Sequence, residues 1–112
     1  MNYKIKSRIW IEVDNKVLLG EGRVKLLKSI EETGSLSKAA KHLNMSYKKA
    51  WTLVDAVNKS ADKSVITTSI GGKNGGGAQL TEYGKELISA FEEINKNCWD
   101  FLDTQTNKID IL

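Results

Sequence analysis

Residues 3–13 alternate apolar or small side chains with mostly polar ones. From Tyr3 to Val13, apolar or small side chains occupy every second position, and a period of two predicts a strand with one buried face. Residues 14–16 read Asp-Asn-Lys, and Asp and Asn tolerate the left-handed backbone of a tight turn. The apolar residues 17–19 supply a return strand. The pattern therefore predicts a β-hairpin over residues 3–19.

Three helices are predicted after this hairpin. Apolar residues at helical spacing indicate the first over residues 22–33, and Gly34 follows where a helix C-terminus prefers glycine. A short second helix is predicted over residues 36–43 and a longer third helix over residues 47–60, because each has one apolar face.

The second and third predicted helices match the helix-turn-helix pattern over residues 36–55. Ser35 and Ser46 precede the two helices and can cap their unpaired backbone N–H groups. Ala40 is small, which lets the helices approach closely, and Asn44 tolerates the positive φ that the turn needs. An ordinary helical hairpin has the same packing requirements and is the structural alternative.

A glycine-rich segment follows the third helix. Residues 65–70 are rich in β-branched side chains and predict a strand, residues 71–77 contain five glycines, and residues 78–80 can return as a second strand. A strand, loop and strand in this place form the wing of a winged helix-turn-helix, over residues 65–80. A long helical pattern then runs over residues 81–103. The predicted fold class is α+β, mainly helical, in a single domain.

The last predicted helix carries an apolar seam with heptad spacing, which is typical of a dimerisation helix. The candidate dimer contacts are Leu87, Phe91, Ile94, Cys98 and Phe101. A second apolar edge can pack on the domain, which would leave the seam for a second copy of the chain. The alternative is a helix that is wholly buried on its own domain.

Composition excludes several classes of protein. A chain of 112 residues suggests one domain. Its apolar runs are far too short for a transmembrane helix or a signal peptide, so no membrane partner is expected. The single cysteine, Cys98, cannot form an internal disulfide or a thiolate metal site, and it fits a reducing cytoplasm.

The charge is divided unevenly along the chain. Residues 1–80 carry 14 Lys or Arg and 7 Asp or Glu, a net charge of +7, whereas residues 81–112 carry 3 Lys and 7 acids, a net charge of −4. The segment 35–52 holds four lysines and no acid. This division predicts a face that binds a polyanion such as DNA; a solvated lysine-rich surface is the plainer reading.

The candidate DNA contacts lie on the predicted helix-turn-helix and wing, and they are Ser35, Ser46, Tyr47, Lys48, Lys49, Thr52, Lys73 and Asn74. Residues at the start of the third helix are placed to reach base edges. The two serines can donate to phosphate or act as caps alone, and the two loop residues can donate to phosphate, although a plain flexible hairpin loop is the alternative. Trp51 is expected to pack against a neighbouring element rather than read DNA.

Other functions have weaker support in the sequence. No nucleophile–base pair and no metal-ligand spacing stands out, so neither catalysis, a cofactor nor a metal is expected. The only histidine, His42, lies among lysines and is expected at the surface. The loop does not match a nucleotide-binding P-loop, because Asn74 follows Gly72-Lys73 and Thr67 stands where the first glycine is needed. A winged-helix module that binds protein, or one that binds RNA, remains as an alternative.

Four runs of sequence resemble a known family. Residues 20–27 (Gly-Glu-Gly-Arg-Val-Lys-Leu-Leu) and 33–40 (Thr-Gly-Ser-Leu-Ser-Lys-Ala-Ala) are similar to the N-terminal domain of ModE-type molybdate-responsive transcription regulators, within a broader likeness to LysR-type winged helices. Residues 45–51 resemble that family's recognition helix, and residues 71–81 its wing. The resemblance covers about residues 3–103, and it implies a homodimeric regulator that binds double-stranded DNA in a sequence-specific way.

One departure from the family concerns its signal. The resemblance implies that full-length members sense molybdate through an appended oxyanion-binding domain, and the 112 residues leave no room for one. The chain is then a stand-alone form or a fragment. The signal would come from a separate effector-sensing protein or another source, or regulation would follow the protein's concentration.

Overall fold

The structure, a computed structural model, describes residues 3–69 and 77–111. Its elements in chain order are β1 (Trp10–Val13), β2 (Lys16–Gly20), α1 (Glu21–Thr33), α2 (Leu36–His42), α3 (Tyr47–Ser60), β3 (Ile66–Ser69), β4 (Gly77–Leu80), α4 (Glu82–Gln105) and a short 3₁₀ helix (Thr106–Ile111). The strands form two separate antiparallel hairpins, β1–β2 and β3–β4. This is a winged helix-turn-helix with an N-terminal hairpin and a long C-terminal helix, which confirms the predicted α+β fold class.

The N-terminal hairpin is shorter than the predicted span of residues 3–19. Val13 pairs with Lys16 across a two-residue turn, in which Asp14 and Asn15 have φ values of 51° and 65°. The left-handed turn therefore forms where the sequence predicted it, whereas residues 3–9 have no strand partner within the described part of the chain. Alternating side chains indicate an extended chain with one buried face. They do not indicate whether a strand or a helix packs on that face.

Residues 3–9, called the arm from here on, pack instead beside α4. The Oγ atom of Ser7 lies 3.4 Å from the Sγ atom of Cys98. The Lys4 ammonium lies 3.5 Å from the Asp103 carboxylate and 5.6 Å from the centre of the Trp99 ring. Alternate residues of the arm are half-buried as a result.

A single hydrophobic core joins both hairpins to the four helices. Its largest fully buried side chains are Leu19, Leu26, Leu27, Ile30, Val57 and Val65. Gly34 ends α1 in the left-handed region, with φ of 68°, and its N–H donates to the Ile30 carbonyl over 2.8 Å. The carbonyl of the same glycine accepts from the Ala78 N–H over 3.1 Å. The C-terminal cap of α1 therefore also holds strand β4 of the wing in place.

The predicted dimer seam on α4 needs correction. Phe91, one of its members, is 3% exposed and lies in the core with Gly84 and Ile88. Leu87 is half-buried against the core, and Cys98 is half-buried beside the arm. Phe91 is therefore not available to a second copy of the chain. The heptad spacing was compatible with two neighbouring stripes, and only packing on the core decides which one is covered.

The uncovered stripe of α4 has heptad spacing too. This outer stripe consists of the half-buried Leu87 at its N-terminal end, followed by the exposed Ala90, Ile94, Asn97 and Phe101. Ile94 is 51% exposed, and Phe101 is similarly exposed. Two of the predicted contacts, Ile94 and Phe101, thus lie on an apolar surface that no other described residue covers. No helix within residues 3–69 and 77–111 combines the length and the apolar character that crossing a membrane requires.

Candidate nucleic-acid interface

The turn between α2 and α3 is fixed by local hydrogen bonds. Asn44 has φ of 56°, as the sequence predicted, and its N–H donates to the Lys41 carbonyl over 3.1 Å. The next residue, Met45, donates its N–H to the Ala40 carbonyl over 3.0 Å. Asparagine tolerates this left-handed conformation better than most residues with a side chain. The turn therefore sets the angle at which α3 leaves α2.

Both predicted serine caps are present. The Ser35 Oγ atom accepts from the Lys38 N–H over 3.1 Å, and the Ser46 Oγ atom accepts from the Lys49 N–H over 3.0 Å. A hydroxyl that accepts such a bond keeps its own proton, which it can donate to a phosphate. Capping is thus observed, while the predicted phosphate contacts of Ser35 and Ser46 stay predictions.

The outer surface of α3 begins with the predicted contact residues. Ala50 and Val54 face the core. The other side of the first two turns of α3 therefore faces solvent. The exposed residues of these two turns are Tyr47, Lys48, Lys49, Trp51 and Thr52. The fold therefore brings the four predicted contacts of α3 to one surface, next to Ser46.

One detail of this surface differs from the sequence interpretation, and a second limits which group of Thr52 can contact DNA. Trp51 was expected to pack against a neighbouring element, but 51% of its surface is exposed. Alanine at the preceding position, Ala50, takes the place against the core instead. The Thr52 hydroxyl donates to the Lys48 carbonyl over 2.8 Å, so its proton is used within the helix.

Four lysines, two on α2 and two in the first turn of α3, carry unneutralised charge. Lys38, Lys41, Lys48 and Lys49 are all exposed, and none of them lies within 4.0 Å of a carboxylate in the part of the chain that the structure describes. Four exposed ammonium groups on two adjacent short segments attract a polyanion and would release counterions from it.

The lysines of α1 and α4, by contrast, all lie within 4.0 Å of a carboxylate. Lys28 on α1 donates to Glu92 on α4 over 2.9 Å, and this hydrogen bond and the charge of Glu92 raise the pKa of Lys28. Lys96 donates to Asp100 over 2.7 Å, and the pKa of Lys96 is raised for the same reasons. The lysine charge of α1 and α4 is therefore compensated locally, unlike that of α2 and of the first turn of α3.

The wing is attached to α3 through a residue that the sequence analysis did not single out. The Asn58 Oδ1 atom accepts from the N–H groups of Val65 and Ile66 over 2.8 and 3.1 Å. Its Nδ2 atom donates to the Ile66 carbonyl over 3.0 Å. An asparagine near the end of a helix carries no sequence signal for such a contact, because its partners are backbone groups. Asn58 fixes the start of β3 relative to α3.

The wing is also attached to α4. The Thr81 N–H donates to the Val65 carbonyl over 2.9 Å, and the Thr81 hydroxyl donates to the Ser64 carbonyl over 2.7 Å. The same hydroxyl accepts from the Gly84 N–H and so caps α4. The predicted phosphate contacts Lys73 and Asn74 lie outside the described residues, and they stay predictions.

Other candidate chemistry is sparse in residues 3–69 and 77–111. No group of three His, Cys, Asp or Glu side chains within them could hold a metal ion. His42 is exposed at the end of α2, and its Nδ1 atom lies 3.3 Å from the Oγ atom of the buried Ser29. The lysine surface on the helix-turn-helix is therefore the strongest candidate for a functional site.

Comparison with known proteins also points to a site that binds nucleic acid. No family model matches the chain. The chain is 32% identical, over 103 residues, to the molybdenum transport protein ModE of Azotobacter vinelandii, covering 92% of this chain and 38% of that protein. It is 35% identical, over 95 residues, to the DNA-binding transcriptional dual regulator ModE of Escherichia coli, covering 82% of this chain and 36% of that protein. It is 47% identical, over 76 residues, to the molybdenum-pterin-binding protein MopB of Rhodobacter capsulatus, covering 68% of this chain and 28% of that protein.

These relatives are much longer than the chain, which spans less than half the length of the curated relatives it matches. Each match nevertheless includes two thirds or more of the chain itself. The similarity therefore concerns the winged helix-turn-helix described above, and not the remainder of those proteins. Over the portion that it shares with them, the chain belongs to the ModE family of regulators.

Proposed function

We propose that the protein is a sequence-specific DNA-binding transcription regulator that binds an inverted repeat as a homodimer. The observation that carries this proposal is the exposed, unneutralised lysine surface on a capped helix-turn-helix. DNA is the polyanion for which such a motif has the right shape, because a helix of this kind fits the major groove. The regulators named ModE among the relatives support the same role.

In this proposal the first turn of α3 reads bases. Lys48 and Lys49 can donate to the O6 and N7 atoms of guanine, and Tyr47 can donate to phosphate or stack. Ser35 and Ser46 cap their helices and also donate to phosphates beside the groove. In the wing loop, Lys73 and Asn74 would donate to phosphates of the neighbouring backbone.

A module that binds protein rather than DNA is the second candidate. The two exposed aromatic side chains on α3, Tyr47 and Trp51, favour it, because aromatic residues are enriched at protein interfaces. The exposed lysines around them weigh against it, since lysine is depleted at such interfaces. The two functions predict opposite results in a binding selection with DNA.

Selection from a random duplex library tests the DNA-binding function. We expect that, at about 150 mM salt, the protein enriches an inverted repeat whose half-site centres lie about 34 Å apart, one turn of B-DNA. Sequencing of the bound pool gives the result. A pool without enrichment, with affinity that collapses as salt rises, would show non-specific charge binding. No binding to any duplex would favour the protein-binding module.

The proposed homodimer uses the outer stripe of α4. This stripe repeats at heptad spacing, and all its members except the half-buried Leu87 are exposed: Leu87, Ala90, Ile94, Asn97 and Phe101. An apolar stripe of this kind is stable in water when a second helix covers it. A two-fold symmetric pair would place two copies of α3 on successive turns of one face of the duplex.

Replacing Ile94 by Asp should dissociate this dimer. Each subunit would then bring an unpaired carboxylate into the apolar contact, at a cost of several kcal/mol, so we expect association to weaken at least about a hundredfold. Sedimentation equilibrium measures this directly. Ser89→Asp, which adds the same charge to an exposed position of α4 off the stripe, is the control and should leave the dimer intact. A wild-type protein that sediments as a monomer would refute the homodimer.

A further inference from the structure

A large aromatic side chain stands on the surface that the proposed function assigns to DNA. Trp51 is 51% exposed, in the second turn of α3. It follows the buried Ala50 and precedes the exposed Thr52, so its exposure is set by the rotation of the helix on the core. Leaving an indole half in water forfeits part of the free energy that its burial would provide. That free energy is recovered when another molecule covers the side chain.

The position of Trp51 relative to the wing follows from helix geometry. At 3.6 residues per turn, Tyr47, Trp51 and Asn58 lie on one flank of α3. Asn58 on this flank bonds to the start of β3, so the flank is the one that faces the wing. Lys48 and Thr52 lie opposite the buried face and form the centre of the outer surface. Trp51 therefore lies beside that centre, on the wing side.

The chemistry of the second turn of α3 is apolar. The Thr52 hydroxyl gives its proton to the Lys48 carbonyl, which leaves its methyl group and the indole of Trp51 as the main features of this turn. The surrounding lysines select a polyanion as the partner of the whole surface. Among the base edges in the major groove, the only apolar group is the 5-methyl group of thymine.

We infer that Trp51 is a specificity-determining residue whose indole packs against the 5-methyl group of a thymine in each half-site of the operator. This inference rests on the proposed DNA-binding function. It adds a base preference that the lysines do not supply, because lysine donors favour guanine. In this inference the second turn of α3 recognises thymine through Trp51, while the lysines of the first turn recognise hydrogen-bond acceptors on the base edges.

Replacement of thymine by uracil removes only the methyl group and so tests this contact. The probe is the duplex enriched by selection, made with thymine or with deoxyuridine at the half-site positions. One lost methyl contact corresponds to about a fourfold loss of affinity, and two half-sites to about fifteenfold. We expect the wild type to show this loss, Trp51→Ala to bind the thymine duplex at least about fifteenfold more weakly, and Trp51→Ala to bind both duplexes equally.

Two further variants control the experiment. Trp10 on β1 is 55% exposed, so Trp10→Ala removes an equally exposed indole away from α3 and should keep both the affinity and the preference for thymine. Trp51→Phe should restore part of the preference. Equal weakening on both duplexes, unchanged binding by Trp51→Ala, or a selected half-site without thymine would each overturn the inference. Failure of the wild type to bind any duplex would instead overturn the proposed function.

Discussion

Replacing Lys48 and Lys49 together by Ala should weaken binding to the selected duplex by about 2–6 kcal/mol, at about 1–3 kcal/mol for each base-reading residue. Both ammonium groups lie at the N-terminal turn of α3, where the Ser46 cap and the start of the helix face outward. Neither lysine has a carboxylate within 4.0 Å in the described part of the chain. Their removal therefore takes away contacts to DNA without leaving a buried charge unpaired.

Fluorescence anisotropy with the selected duplex and with an unrelated duplex measures this loss. If the two lysines read bases, the loss is greater on the selected duplex, so that the ratio of the two affinities falls. The matched control is Lys25→Ala with Lys96→Ala, which removes two exposed lysines that pair with Glu21 and Asp100. Exposed ion pairs contribute little to stability, so the control variant should fold and bind nearly as the wild type does. Unchanged affinity in the Lys48 and Lys49 variant would refute the recognition-helix assignment.

Replacing Gly84 by Ala should lower the free energy of unfolding by about 2 kcal/mol, the typical cost of an overpacked core. A Cβ atom at this position would lie 2.6 Å from the Val65 carbonyl oxygen and 2.7 Å from the Leu80 Cδ1 atom. The carbonyl cannot easily retreat, because it accepts from the Thr81 N–H over 2.9 Å. The clash outweighs the gain of up to about 1 kcal/mol that alanine brings inside a helix.

Urea denaturation followed by circular dichroism measures the effect of Gly84→Ala. Gly22→Ala is the matched control, because Gly22 lies in α1 and an added Cβ atom there meets nothing within 4 Å. We expect the control to be neutral or stabilising by up to about 1 kcal/mol. Opposite signs for the two glycines would establish close packing of α4 on the start of the wing. A Gly84→Ala protein as stable as the wild type would show that this contact can relax.

The features that the sequence predicted correctly depend on short-range chemistry. The turn at Asp14 and Asn15, the end of α1 at Gly34 and the turn at Asn44 each require a positive φ, and each has a residue that tolerates it. The cap at Ser46 needs only a hydroxyl followed by a helical segment. These choices are made within a few residues, so they are visible without knowledge of the fold.

The features that the sequence left open depend on which surfaces meet. The arm has the alternation of a strand, yet α4 covers it, because any apolar surface can bury one face of an extended chain. The heptad pattern of α4 fits two stripes, and packing on the core assigns Phe91 to the covered one. The role of Asn58 is invisible in the sequence, since its partners are backbone atoms of β3.

The sequence by itself determined the order of the helices, their caps and turns, the resemblance to ModE-type regulators and the concentration of lysines over residues 35–52. Only the tertiary structure decided which side chains of α3 and α4 remain uncovered. Periodicity specifies that a helix has an apolar face, but the limits of that face are set by the atoms that pack on it. For that reason the exposure of Trp51 and the position of the outer stripe, on which the thymine contact and the dimer depend, follow from the fold alone.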